Sequence, residues 1–240
     1  TPHLYNLKLH LNLSSGQTQE KTERFGMRKI HVEGRKILVN NTPFYVRGFI
    51  RGRKAHEHPN LQDLPLEEFY AKNIRAAKEY GFNFIRFHSR VPPRECFDVA
   101  DELGIFIHVE LRRYYGKYQK ERALMDKEGK LVPKGGWARM IRRIRNHPSL
   151  MVYCIGNEID NPGSNPYVDR ISELTKEMDS TRLFLDSCSR GEFDRDNVDI
   201  DVQHMGYFYP FGKDYDMFEN AQSWLIYGSY TRSEERRVGK

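Results

Sequence analysis

Apolar and polar residues alternate from the first turn of the chain. Leu7, Leu9, Leu11 and Leu13 fall on one side of an extended segment, and Lys8, His10 and Asn12 on the other. A period of two predicts a strand. Ser14-Ser15-Gly16 reads as a turn, and Gln17 to Phe25 as the returning partner of a hairpin. From Ile30 the pattern becomes strand then helix, repeated, which predicts parallel β-α-β units. Ile37 to Pro43 is a short hairpin leading in. Predicted strands follow over Phe44–Ile50, Phe82–His88, Ile105–Glu110, Leu150–Ile155, Arg182–Ser187 and Ile200–His204, with a further one over Trp224–Tyr227. Predicted helices lie between them. One runs from Leu66 to Tyr80, with Phe69, Tyr70, Ile74 and Ala77 at helical spacing. Others cover Pro93–Leu103 and Trp137–Asn146, and Val168, Ile171, Leu174 and Met178 mark a fourth. Gly81 and Gly104 stand where the first two should stop. The polar stretch Tyr114–Lys134 is longer than an ordinary connection.

Bulk properties narrow the picture a little. A chain of 240 residues can bury a full core in one or two domains. The net charge of +6 is modest and spread along the chain. Arg139, Arg142, Arg143 and Arg145 cluster at a spacing that suits the solvated face of a helix, so no nucleic-acid partner is expected. No apolar run is long enough for a membrane-spanning helix, so no membrane partner is expected either. Cys96, Cys154 and Cys188 are odd in number and scattered, unlike a disulfide framework or a metal-site spacing. His56, Glu57 and His58 are neither a His-Glu-x-x-His set nor backed by cysteines, so neither a metal nor a cofactor is expected there. The closing stretch Arg232–Lys240 looks like the translation of a sequencing-adapter read-through, the alternative being an ordinary charged tail. It carries four positive and two negative residues, so without it the net charge is +4.

The chemistry concentrates at predicted strand ends, where the active sites of parallel α/β barrels lie. The apolar run Leu150–Ile155 ends in Gly156-Asn157-Glu158. A carboxyl group at a strand tip in a semi-buried cleft has its pKa raised by desolvation and can serve as a general acid. Arg86 and His88 alternate to one side of the second strand, with Phe87 on the other. Glu110 ends the third strand, with His108 on the same face. Glu110 could bind substrate hydroxyls or hold Arg86. Arg86 could equally be half of a buried structural ion pair, and His88 a histidine satisfied within its loop.

The string from Arg145-Asn146-His147-Pro148-Ser149 to Gly156-Asn157-Glu158 resembles the acid/base signature of glycoside hydrolase family 2, the β-galactosidase/β-glucuronidase group. That resemblance implies Glu158 as acid/base and Asn157 as ligand of the substrate 2-hydroxyl. Phe25-Gly26-Met27-Arg28 resembles the family's join between an immunoglobulin-like β-sandwich and the barrel. Gly81–Arg86 resembles Gly-Phe-Asn-x-[Val/Ile]-Arg, which implies Arg86 beneath the nucleophile and His88 in the sugar site. Arg51–Pro59 loosely resembles the family's Asn-Arg-His-Glu-x-His-Pro loop. His204, Tyr207 and Tyr209 follow the sixth strand, where the family places a tyrosine near the nucleophile. The chain departs from the pattern after Glu110. The family's β-galactosidases often have Glu-x-His there, helping to hold magnesium, whereas this chain has Glu110-Leu111-Arg112-Arg113. No metal is therefore expected.

The implied fold class is α/β: an incomplete (β/α)8 TIM barrel over residues 29–231, preceded over 1–28 by the last strands of a sandwich, with 232–240 as the suspect tail. A closed barrel needs eight strands, and the count here stops at six or seven. The implied activity is that of a retaining β-glycosidase acting on a carbohydrate substrate. Such enzymes need two carboxyl groups about 5–5.5 Å apart. Glu158 is one. No Glu-Tyr-Gly or Glu-x-Gly setting supplies the second, so the expectation is a truncated and inactive fragment. Two rivals stand beside this reading: a carbohydrate-binding pseudo-enzyme on the same barrel, and an endo-acting β-glucanase or mannanase of the same clan.

Overall fold

The computed structural model describes residues 2–52, 64–110, 136–157, 166–188 and 198–200. Strands β1 (Leu4–Asn12) and β2 (Thr18–Gly26) form an antiparallel hairpin, with Leu4 opposite Gly26 and Asn12 opposite Thr18. Gly16 adopts φ +83° in the turn, a conformation that glycine reaches without strain. The leucine stripe holds its predicted register but is open: Tyr5, Leu7, Leu9 and Leu11 are 45–55% exposed.

Strands β3 (Ile30–Glu33), β4 (Lys36–Val39) and β5 (Thr42–Phe44) make a small antiparallel sheet. Asn40 and Asn41, at φ 51° and 61°, form the two-residue turn that matches strand twist. That turn corrects one boundary. Phe44 pairs with Ile37 inside this hairpin, and the first parallel strand is β6 (Gly48–Arg51), shorter and later than the apolar run suggested.

Five parallel strands then lie in the order β10-β9-β8-β7-β6. They are β6, β7 (Phe84–Phe87), β8 (Phe106–Glu110), β9 (Leu150–Asn157) and β10 (Leu183–Cys188). Helices α1 (Leu66–Glu79), α2 (Arg94–Leu103), α3 (Gly136–Ile144) and α4 (Pro166–Met178) fall between successive strands. The order of the strands in the sheet is their order in the chain, as consecutive β-α units require. The α2 helix stops at Gly104, whose φ of +73° turns the chain so that the Ile105 N–H also reaches the Ala100 carbonyl, at 3.3 Å.

Alternation along the strands splits the core in two. Ile85, Phe87, Ile107, Val109, Tyr153, Ile155 and Phe184 pack with helix residues such as Phe69, Ile74, Phe97, Trp137 and Ile171. Phe84, Val152, Cys154, Leu183 and Leu185 pack on the other side with Ile30 and Ile37. The small sheet thus covers the inner face near the strand starts, where Phe44 meets Phe106 edge-on at 5.2 Å. All eight residues of β9 are buried, which is why it reads as an unbroken apolar run.

The Arg-Asn-His-Pro-Ser string is a hub beneath β9. His147 Nδ1 lies 2.7 Å from Asp101 Oδ2, and its ring stacks on Phe97 at 4.9 Å. The Ser149 N–H donates to Asp101 Oδ1 at 2.8 Å. Arg182 donates to the His147 carbonyl at 2.9 Å. Arg28, from the Phe-Gly-Met-Arg join, donates to the Pro148 and Leu150 carbonyls at 2.9 Å each. Burial lowers the Arg28 pKa to about 10, with Arg182 adding to the effect. Two motifs some 120 residues apart therefore meet in one set of hydrogen bonds that fixes where β9 begins.

Candidate active site

Register brings the polar strand-end residues together. Arg86 on β7 pairs with His108 on β8, and Glu110 on β8 pairs with Cys154 on β9. Residues paired across parallel strands face the same side, here the inner one. Arg86, His108, Glu110 and Asn157 are all at most 4% exposed.

A buried guanidinium is tolerated only when paired and hydrogen-bonded. Arg86 Nε donates to Glu110 Oε1 at 2.6 Å. Its Nη2 donates to Asn157 Oδ1. The other oxygen of Glu110 accepts the Ser89 N–H at 2.6 Å, and the Glu110 N–H donates to the Arg90 carbonyl at 3.1 Å. Ser89 has φ +52°, a left-handed conformation costly for a residue with a side chain. Glu110 thus anchors both Arg86 and the strained turn that follows His88. Of the two roles left open for Glu110 by the sequence, the structure shows the second, holding Arg86.

The Arg86 bond also orients the Asn157 amide. Its oxygen faces the guanidinium, which leaves the Nδ2 donor directed elsewhere. His88 is half-buried in the turn after β7, and its N–H donates to the Arg51 carbonyl at 3.1 Å. Arg51 in turn donates to Asn73 Oδ1 at 2.8 Å and lies 4.8 Å over the Phe69 ring. Glu158, His204, Tyr207 and Tyr209 lie outside the described residues, as do His56 and His58, the stretch 114–134 and the tail from 232.

Two features were not assigned a role in the sequence. His108 Nε2 sits 3.6 Å from Glu110 Oε1, and burial, helped by the Arg86 charge, holds its pKa well below the usual imidazole range. It is neutral at pH 7. Cys154 donates through Sγ to the Gly156 carbonyl at 3.1 Å. The signal for His108 was present in the alternation His108, Glu110. For Cys154 it needed the β8–β9 register.

A parallel sheet wound by consecutive β-α units, with polar residues gathered at the strand C-termini, is the arrangement of a TIM-barrel enzyme domain. The chain belongs to glycosyl hydrolases family 2, whose TIM barrel domain matches residues 30–232. It is 30% identical over 203 residues to a β-galactosidase of Lactococcus lactis, covering 82% of this chain and 20% of that protein. It is 26% identical over 248 residues to a β-glucuronidase of Streptococcus agalactiae, covering 92% and 39%. A Parabacteroides merdae β-glucuronidase structure superposes with a TM-score of 0.65 at 25% identity, over 82% of this chain and 24% of that one. The chain spans between a fifth and two-fifths of the length of these relatives.

Proposed function

We propose that the full-length parent is a retaining β-glycosidase acting on galactoside- or glucuronide-like substrates, and that residues 29–231 are part of its catalytic barrel. The observation that carries this reading is the Arg86–Asn157 hydrogen bond, backed by Glu110. It fixes the Asn157 amide oxygen on Arg86, directly before Glu158 in the chain. Relatives named as β-galactosidases and β-glucuronidases support the substrate class.

Glu158 then protonates the leaving oxygen in the first step and takes a proton from water in the second. Asn157 donates to the sugar 2-hydroxyl. Arg86 and Glu110 position Asn157 and the site beneath the nucleophile, and His88, His204, Tyr207 and Tyr209 line the sugar pocket. The nucleophilic carboxylate comes from outside these 240 residues, and the chain alone is inactive. Residues 1–28 are the last strands of a β-sandwich. The exposed Tyr5–Leu11 stripe supports this, because a two-stranded hairpin with one open apolar edge needs a covering layer.

The test is to incubate the parent with aryl β-glycosides and follow by NMR which anomer is released first. The β-anomer is expected. Release of the α-anomer refutes retention, and absence of turnover on any sugar selects the pseudo-enzyme. Turnover by the 240-residue chain, abolished by Glu158→Gln, would refute its inactivity.

A further inference from the structure

We propose that His108, Glu110 and Cys154 form a buried binding site for a thiophilic divalent ion of the zinc–cadmium class, whose occupancy, on the sugar-site reading above, competes with Arg86 for Glu110. One imidazole nitrogen, one carboxylate oxygen and one sulfur lie within 4.8 Å of one another, all three residues fully buried. His108 Nε2 points into this cluster, and it is a buried atom with no hydrogen-bond partner among the described residues. Native interiors rarely leave a polar atom so.

One of the three donor separations already matches such an ion, and the sulfur lies within 4.8 Å of both other donors. Bonds of about 2.0–2.3 Å at tetrahedral angles place donor atoms roughly 3.3–3.8 Å apart. The His108–Glu110 separation of 3.6 Å already falls in that range. Cys154 now donates its S–H proton to the Gly156 carbonyl. When an ion binds, that proton leaves to solvent, the sulfur becomes a thiolate, and its repulsion from the carbonyl oxygen turns it toward the metal. Thiolate and carboxylate together offset the two charges of the ion, and a neutral imidazole offers its lone pair. Thiolate with imidazole selects zinc or cadmium over magnesium or calcium. The donors also differ from the Glu-x-His pattern absent here, because the histidine precedes the glutamate and the third ligand is sulfur.

Occupancy has a structural cost at the sugar site. Glu110 Oε1, the atom nearest His108, is the acceptor of Arg86 Nε. An ion that takes this oxygen releases Arg86, and with it the orientation of Asn157.

The experiment is a cadmium titration of the 240-residue chain, read by the ultraviolet thiolate-to-cadmium charge-transfer band, with zinc as competitor. One saturable equivalent is expected, displaced by zinc. Binding should weaken at least tenfold in Cys154→Ser and in His108→Asn, and persist in Cys96→Ser and Cys188→Ser. If Cys154→Ser does not fold, as judged by circular dichroism, His108→Asn carries the comparison. Absence of saturable binding, or an unchanged band in Cys154→Ser or His108→Asn, overturns the proposal.

Discussion

Glu110→Gln is the most informative single change. The carboxylate is 0% exposed, its partner Arg86 is 1% exposed, and both of its oxygens accept N–H donors. Glutamine keeps the shape but has one acceptor oxygen and one donor NH2. Whichever way the amide turns, either Arg86 Nε or the Ser89 N–H meets another donor, and the guanidinium charge stays buried without its counter-ion. Breaking one side of a buried ion pair costs about 3–5 kcal/mol. For a domain of this size each kcal/mol moves Tm by roughly 2–4 °C, so a fall of roughly 6–20 °C is expected. Urea denaturation followed by circular dichroism measures the free energy directly. Pairing the change with Arg86→Met should give a double variant less destabilised than the sum of the singles, by about 1–3 kcal/mol. A Glu110→Gln protein within about 0.5 kcal/mol of the parent chain, the range of ordinary surface changes, would refute the role of this carboxylate.

Two other outcomes follow from buried groups. Arg28→Met retains the apolar stem but leaves the Pro148 and Leu150 carbonyls without their charged donor, so a loss of about 1.5–3 kcal/mol is expected in the same assay, with Arg28→Lys intermediate. His108 has a folded-state pKa far below its unfolded value of about 6.5, so below that pH the unfolded chain binds a proton that the folded chain does not. Stability is therefore lost as pH falls through 6.5 and unaffected above it. The loss grows as pH falls from 6.5 toward the depressed folded-state value, and His108→Asn should show a shallower acid slope over that range. An unchanged slope would show that burial does not depress the imidazole in the folded protein.

The parallel architecture was legible in the sequence because β7, β8 and β9 are buried on both faces and the helices carry one-sided apolar stripes. Leu150–Ile155 and the Leu66–Tyr80 helix could be placed within a residue or two for that reason. The start of the first parallel strand was not legible. Phe44 continues an apolar run, and only the left-handed Asn40-Asn41 turn assigns it to the hairpin. In the site, Arg86 and Glu110 were found as strand-end residues, but their partnership depends on the β7–β8 register, and the bond to Asn157 on that of β8–β9. The Arg-Asn-His-Pro-Ser string was read only as part of a catalytic signature. In the fold its side chains and carbonyls mainly hold the base of β9 to Asp101, Arg28 and Arg182. The string is informative about the site because it sets the height at which Asn157 ends the strand.

The proposed role of Glu158 is that of proton donor in a glycosidase whose site rests on Arg86 and Asn157. It is tested most directly by comparing leaving groups in the full-length parent carrying Glu158→Gln. A dinitrophenyl leaving group departs without protonation, whereas an alkyl or sugar leaving group does not. A fall in kcat/KM of roughly 10²–10⁴-fold is expected for alkyl β-glycosides, and a far smaller one for glycosylation by the dinitrophenyl substrate, read as a retained burst. Equal losses on both substrates, or kcat/KM within a few-fold of the parent on alkyl glycosides, would contradict it.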